Sequence, residues 1–87
     1  MDEATIIRDI RKFIGENYMA GAQESLKDSD SFLKNGIIDS IGVIELVAFL
    51  QDKYSIRVET KEIVPENFDT VRNLVGYLRK KIDKKTR

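Results

Sequence analysis

The residues in this chain with the clearest chemical potential are Gly36-Ile37-Ile38-Asp39-Ser40, followed by the apolar-rich run to Tyr54. Asp39 stands where a helix N-cap belongs, which puts Ser40 in the first turn of a helix. Free backbone N–H groups and the positive end of the helix dipole favour negative charge there, so a phosphate ester on Ser40 would be well placed. Asp-Ser ahead of an apolar run is also an ordinary helix start. The chain has no His and no Cys, and no lysine adjoins Ser40 in sequence, so nothing nearby could activate the hydroxyl as a nucleophile. Chemistry at Ser40 must then be performed by another protein.

Six segments have to position that serine. After Asp2, a second candidate cap, Ile6, Ile10, Phe13 and Ile14 recur at helical spacing, flanked by Ile7 and Tyr18. Residues 19–39 are rich in Gly, Ser and Asp without sustained periodicity, and read as a long loop pinned by Leu26, Phe32, Leu33 and Ile37 or Ile38. A loop of that length in a small domain points to function. The Ser40–Tyr54 helix follows. Ser55 to Glu59 alternates apolar and polar but has no second strand to pair with, and reads as an extended connector. Thr60 to Val64 is expected to form one turn capped by Thr60 and stopped before Pro65. After Asp69 or Thr70, Val71, Leu74, Val75, Leu78 and Ile82 fall at i, i+3, i+4, i+7 and i+11, an amphipathic helix. The expected fold is all-α: a small four-helix bundle of three longer helices and one short one, a single domain over 1–87.

The second helix divides into two faces at about 100° per residue. Val43, Leu46, Val47, Leu50 and Tyr54 cluster on one side and are expected to fill the core. Opposite lie Ile41, Ile44, Glu45, Ala48 and Asp52, with Ser40 at the upper edge. Apolar residues ringed by acids suggest a docking surface for a basic partner. The plainer alternative is a helix buried nearly all round in a small domain.

Composition narrows the function classes. With no Cys and no His there is no disulfide, thiolate nucleophile, imidazole base or Cys/His zinc site, which removes most hydrolase chemistry, and no metal ligands are assigned. Fifteen cationic and fifteen anionic side chains balance over 87 residues. Residues 79–87, however, carry six cations against Asp83, a tail of +5 that leaves −5 on residues 1–78. An acidic body argues against nucleic acid as a partner, and the tail reads as a solvated helix end. No apolar run approaches the roughly 20 residues of a membrane span. Met1-Asp2-Glu3 lacks the basic-then-apolar start of a secretion signal, so a cytoplasmic location is expected.

With these residues in view, Gly36-Ile37-Ile38-Asp39-Ser40-Ile41 followed by Val43-Ile44-Glu45-Leu46-Val47 resembles the phosphopantetheine attachment motif of the acyl carrier protein family. The resemblance extends over almost the whole chain. It takes in the opening helix, the loop with Ser31-Phe32-Leu33, the Tyr54-x-Ile56-x-Val58 connector and Pro65-Glu66-Asn67-Phe68-Asp69-Thr70-Val71. It implies a freestanding, non-catalytic carrier, monomeric, whose covalent cofactor is 4'-phosphopantetheine from coenzyme A. A phosphopantetheinyl transferase would attach it to Ser40, with magnesium bound in the transferase complex and Asp39 contacting transferase and metal. Ile41, Ile44, Glu45, Ala48 and Asp52 match the partner-binding face. The arm's thiol would carry acyl groups as thioesters between loading and transferring enzymes. A chain without Cys needs such a borrowed thiol.

Ile41 stands where the family usually has Leu or Met, which keeps an apolar contact and adds β-branching. Gln51, Lys53 and the basic C-terminus dilute the acidic character of carriers in primary fatty acid synthesis. The Pro65–Phe68 segment looks more like carriers of specialised pathways, polyketide or other, including aminoacyl carriers of peptide-synthetase-like systems. From a different class, the same helices could form an interaction module without a prosthetic group, the outer face binding a partner helix.

Overall fold

The computed structural model of the protein describes residues 2–85, and these are all-helical, with no strand among them. Helix α1 is Glu3–Tyr18, α2 is Ser40–Tyr54, α3 is Pro65–Phe68 and α4 is Val71–Lys85, with 3-10 turns at Gln23–Ser25 and Thr60–Glu62. Three long helices and one short one match the expected bundle.

Each long helix begins where a polar side chain satisfies its free amides. Asp2 accepts from Ala4 N at 3.3 Å, Asp39 from Gly42 N at 2.8 Å, and Thr70 Oγ1 from Asn73 N at 3.0 Å. The last of these settles the start of α4 on Thr70. Their inner faces meet in one core. Ile6, Ile10 and Ile14 of α1, Leu46 and Leu50 of α2 and Val71, Leu74 and Leu78 of α4 are all at most 1% exposed, closed by Phe32 and Phe68. Val43, expected in the core, is only partly buried and packs against its edge, as does Phe13 of α1.

The loop between α1 and α2 is tied down by contacts distant in sequence. Leu26, Phe32 and Ile38 are its buried anchors, whereas Leu33 is exposed and Ile37 half-buried. The Arg11 guanidinium bonds Asp28 Oδ1 at 2.9 Å and the Gln23 and Leu26 carbonyls at 2.7 and 2.6 Å. Phe32 N donates to Asp69 O at 2.8 Å and Arg72 N to Asp28 O at 3.0 Å, joining the loop to the start of α4.

The segment between α2 and α4 corrects the sequence reading in two ways. The 3-10 turn is capped by Glu59 rather than Thr60, through a reciprocal box in which Glu59 N donates to Glu62 Oε1 at 2.9 Å. The turn stops before Pro65, as expected, but Pro65 also starts a helix, as the first residue of α3, where its missing N–H costs nothing, so the short α-helix lies at 65–68 and not in the 60–64 turn. At the other end, α4 continues the basic segment as helix through Lys85; Thr86 and Arg87 lie outside the described residues. Arg79 pairs with Glu3 at 2.9 Å and Lys81 with Glu62 at 3.0 Å, so this segment is partly engaged with the body.

Candidate functional site at the start of α2

The Asp39 cap bends the chain out of the loop and into α2, leaving Ser40 as the first helical residue. Asp39 Oδ1 takes the Gly42 amide and its carbonyl takes the Val43 amide at 3.0 Å. The Ser40 and Ile41 amides have no intrahelical partner at this position. Both Asp39 and Ser40 are exposed, and the Ser40 hydroxyl makes no hydrogen bond among the described residues. It is therefore an accessible oxygen at a helix start, with no base beside it.

Gly42 allows the close packing behind this turn. A Cβ there would lie 2.6 Å from Ile38 Cγ2 and 3.3 Å from Tyr18 Cε1. The Tyr18 hydroxyl donates to Glu45 Oε1 and lies 3.5 Å from Gly42 O, linking the end of α1 to the first turns of α2. Burial and then the Glu45 carboxylate push the Tyr18 phenol up to about 12, so it stays a donor at neutral pH.

The expected outer face of α2 is open. Ile41 and Ile44 are 70% and 66% exposed, and Glu45, Ala48 and Asp52 are exposed with them, so α2 is not buried all round. Neither Asp39, Glu45 nor Asp52 has an ion-pair partner among the described residues. Beside this face a groove of about 240 Å³ starts at Ser40 and runs between α2 and α3. Val43, Ile44, Ile63, Val64, Pro65 and Phe68 line most of it, so its walls are apolar. Leu33 reaches it from the loop, which explains why that residue is not in the core. The α3 side of this groove was not legible in the sequence. Its only signal was a run of apolar residues around Pro65 without a helical or strand period.

No group of His, Cys, Asp or Glu that could hold a metal ion is found among the described residues, and no helix among them is long and apolar enough to cross a membrane.

Residues 6–78 match the family model described as "Phosphopantetheine attachment site". The chain belongs to this family. Its prosthetic group is 4'-phosphopantetheine, covalently attached, and an exposed serine at a helix start beside an apolar groove fits such a group. Among curated relatives of this phosphopantetheine-attachment protein, an acyl carrier protein of Exiguobacterium sibiricum is 33% identical over 79 residues, 90% of this chain and 95% of the relative. The probable acyl carrier protein PigG of a Serratia species is 27% identical over 67 residues, 77% of each chain. A D-alanyl carrier protein of Streptococcus uberis is 36% identical over 50 residues, 58% of this chain and 62% of the relative.

Proposed function

We propose that this protein is an acyl carrier that bears 4'-phosphopantetheine on Ser40 and presents acyl thioesters to partner enzymes of fatty acid, polyketide or another specialised biosynthesis. The single observation that carries the reading is the unpartnered, exposed Ser40 hydroxyl behind the Asp39 cap, in a chain of the attachment family. In the attachment step, the Ser40 oxygen bonds to the phosphorus that bears pantetheine. The pyrophosphate bond of coenzyme A breaks, the nucleotide bisphosphate leaves, and the serine proton passes to a base of the transferase. This chain supplies the oxygen and the anion-favouring amides of the helix start. The attached arm supplies a thiol. Asp39 holds the turn and faces the transferase with its metal, and Ile41, Ile44, Glu45, Ala48 and Asp52 form the face that partners read. The chain acts as one carrier unit, a monomer in the cytoplasm without catalytic activity of its own.

The test is incubation with a phosphopantetheinyl transferase, coenzyme A and magnesium, read by intact mass. One arm per chain is expected, and none on Ser40→Ala. An adduct on another serine would overturn the assignment.

A second reading, an aminoacyl carrier, is favoured by the likeness to a D-alanyl carrier protein. The mass of the acid carried by protein isolated from its native host separates the two.

A further inference from the structure

The outer face of α4 has no part in the site at Ser40. Its exposed residues, among those described, are Arg72, Gly76, Arg79, Lys80, Asp83 and Lys84, so four of the six are cations and one is an acid. At about 100° per residue they fall within about 140° of the helix circumference, and they extend over about 18 Å of its length. Arg72, Lys80 and Lys84 have no ion-pair partner among the described residues, and Arg79 pairs with Glu3 at 2.9 Å. Other acids bordering the face are engaged as well, Asp28 by Arg11 at 2.9 Å and Glu62 by Lys81 at 3.0 Å. In sequence the positive charge continues with Lys85 and Arg87. The apolar side of the helix is in the core, with Val71, Leu74 and Leu78 at most 1% exposed. The large apolar side chains exposed among the described residues, Leu33, Ile41 and Ile44, all lie on other elements. Grooves with α1 on one side and with the 3-10 turn and α3 on the other border α4, and α1 and α3 likewise border α2, so α4 stands across the bundle from α2.

We infer that the outer face of α4 docks on an anionic lipid surface, through the headgroup phosphates. A row of lysine and arginine side chains on a convex helix meets such a surface without needing a shaped partner. A protein partner would call for an apolar or aromatic anchor at the centre of the contact, and the centre of this face is Gly76. Because the apolar side of α4 is held in the core, nothing inserts among the acyl chains. The contact is electrostatic, reversible and salt-dependent. The same field repels acids, so Glu45 and Asp52, exposed across the bundle on α2, turn away from the lipid and Ser40 stays open to enzymes in solution. This goes beyond the carrier reading and does not depend on what Ser40 bears.

The experiment is co-sedimentation of the full chain, with and without its arm, on vesicles of phosphatidylglycerol and phosphatidylcholine in equal parts, against vesicles of phosphatidylcholine alone. The chain should bind the mixed vesicles at low salt, leave them as salt rises, and ignore the neutral ones. Each cation at such a surface contributes about fivefold, so Lys80→Gln and Lys84→Gln should each weaken the partition by about that factor. Both side chains are exposed, and glutamine keeps the helix. Gly76→Lys tests the face in the other direction. A Cβ there meets nothing within 4 Å and lysine is the better helix former, so this variant should bind about fivefold tighter and melt no lower than the parent. Lys12→Gln removes the same charge from an exposed position of α1 that does not line the groove beside α4, and should change the partition less than about twofold. Equal binding to both kinds of vesicle, or an equal loss for Lys12→Gln, would overturn the proposal while leaving Ser40 modified. Chains that associate without lipid, and lose that association in Lys80→Gln, would overturn it too, because the acidic face of a second copy would then answer the cations.

Discussion

The Ser31 hydroxyl donates to the Asp69 carboxylate, 38 residues further along the chain, and the other carboxylate oxygen accepts from Leu33 N at 3.0 Å. Asp69 O also takes the Phe32 amide at 2.8 Å. One residue thus ties the middle of the long loop to the entrance of α4, next to the groove at Ser40. Removing its carboxylate in Asp69→Ala leaves the Ser31 hydroxyl and the Leu33 amide without that acceptor. A loss of about 1–3 kcal/mol is expected, with faster amide exchange at Leu33. A melt matching the parent would show that the buried Phe32 holds the loop unaided.

Glu62 is the second tie, joining the turn before α3 to α4. Its carboxylate accepts from Glu59 N at 2.9 Å, Tyr77 Oη at 3.0 Å and Lys81 Nζ at 3.0 Å. The backbone bond from Glu59 comes first in lowering the Glu62 pKa below its ordinary 4.5, with Lys81 and Tyr77 adding to it against the opposing effect of burial. A carboxylate depressed in the folded state contributes stability that is full above its unfolded pKa and is lost as pH falls through the folded one. The melting temperature should therefore drop as pH falls below about 4.5, and Glu62→Gln should flatten that drop while melting lower at neutral pH. Parallel pH profiles for variant and parent would assign the acid sensitivity elsewhere.

Much of this was readable in the sequence, for a local reason. Capping by Asp2 and Asp39 and the apolar stripes of α1 and α4 are encoded within a few residues, where helix period and cap chemistry act together. The outer face of α2 was readable too, because Ile41 and Ile44 fall opposite Leu46 and Leu50. The misses depend on contacts made across the fold. Arg11 binding the Gln23 and Leu26 carbonyls has no sequence signature. Val43 falls on the apolar stripe of α2 yet lies at the edge of the core, because periodicity marks apolar residues without saying whether another layer covers them. The helix that Pro65 starts is not legible because a proline at the first helical position and a proline after a helix leave the same local trace.

Helix α2 ends on Ser55 in the left-handed region, at φ 53° and ψ 43°. A side chain there costs about 1–2 kcal/mol, which glycine avoids. Glycine's freer unfolded chain offsets part of the gain. Ser55→Gly should therefore stabilise by about 0.5–1 kcal/mol and raise the melting temperature by a few degrees, whereas Ser55→Val should lower it. A glycine variant that melts below the parent would mean the Ser55 side chain makes a compensating interaction.

Reversing Glu45 to Lys tests the outer face of α2 from the helix itself. Glu45 is exposed and its one hydrogen bond among the described residues is with Tyr18, so folding should stay within about 1 kcal/mol of the parent. The effect belongs in recognition. A basic partner surface loses an attraction and gains a repulsion, so arm addition or acyl transfer should slow, and added salt should narrow the difference. The basic end of α4 is the control, because Lys84 does not line the Ser40 groove. Removing Lys84 to Arg87 should leave the transfer rate unchanged. A tail deletion that abolished transfer while Glu45→Lys was silent would require an acidic partner, and the assignment of α2 as the recognition helix would then have to be withdrawn.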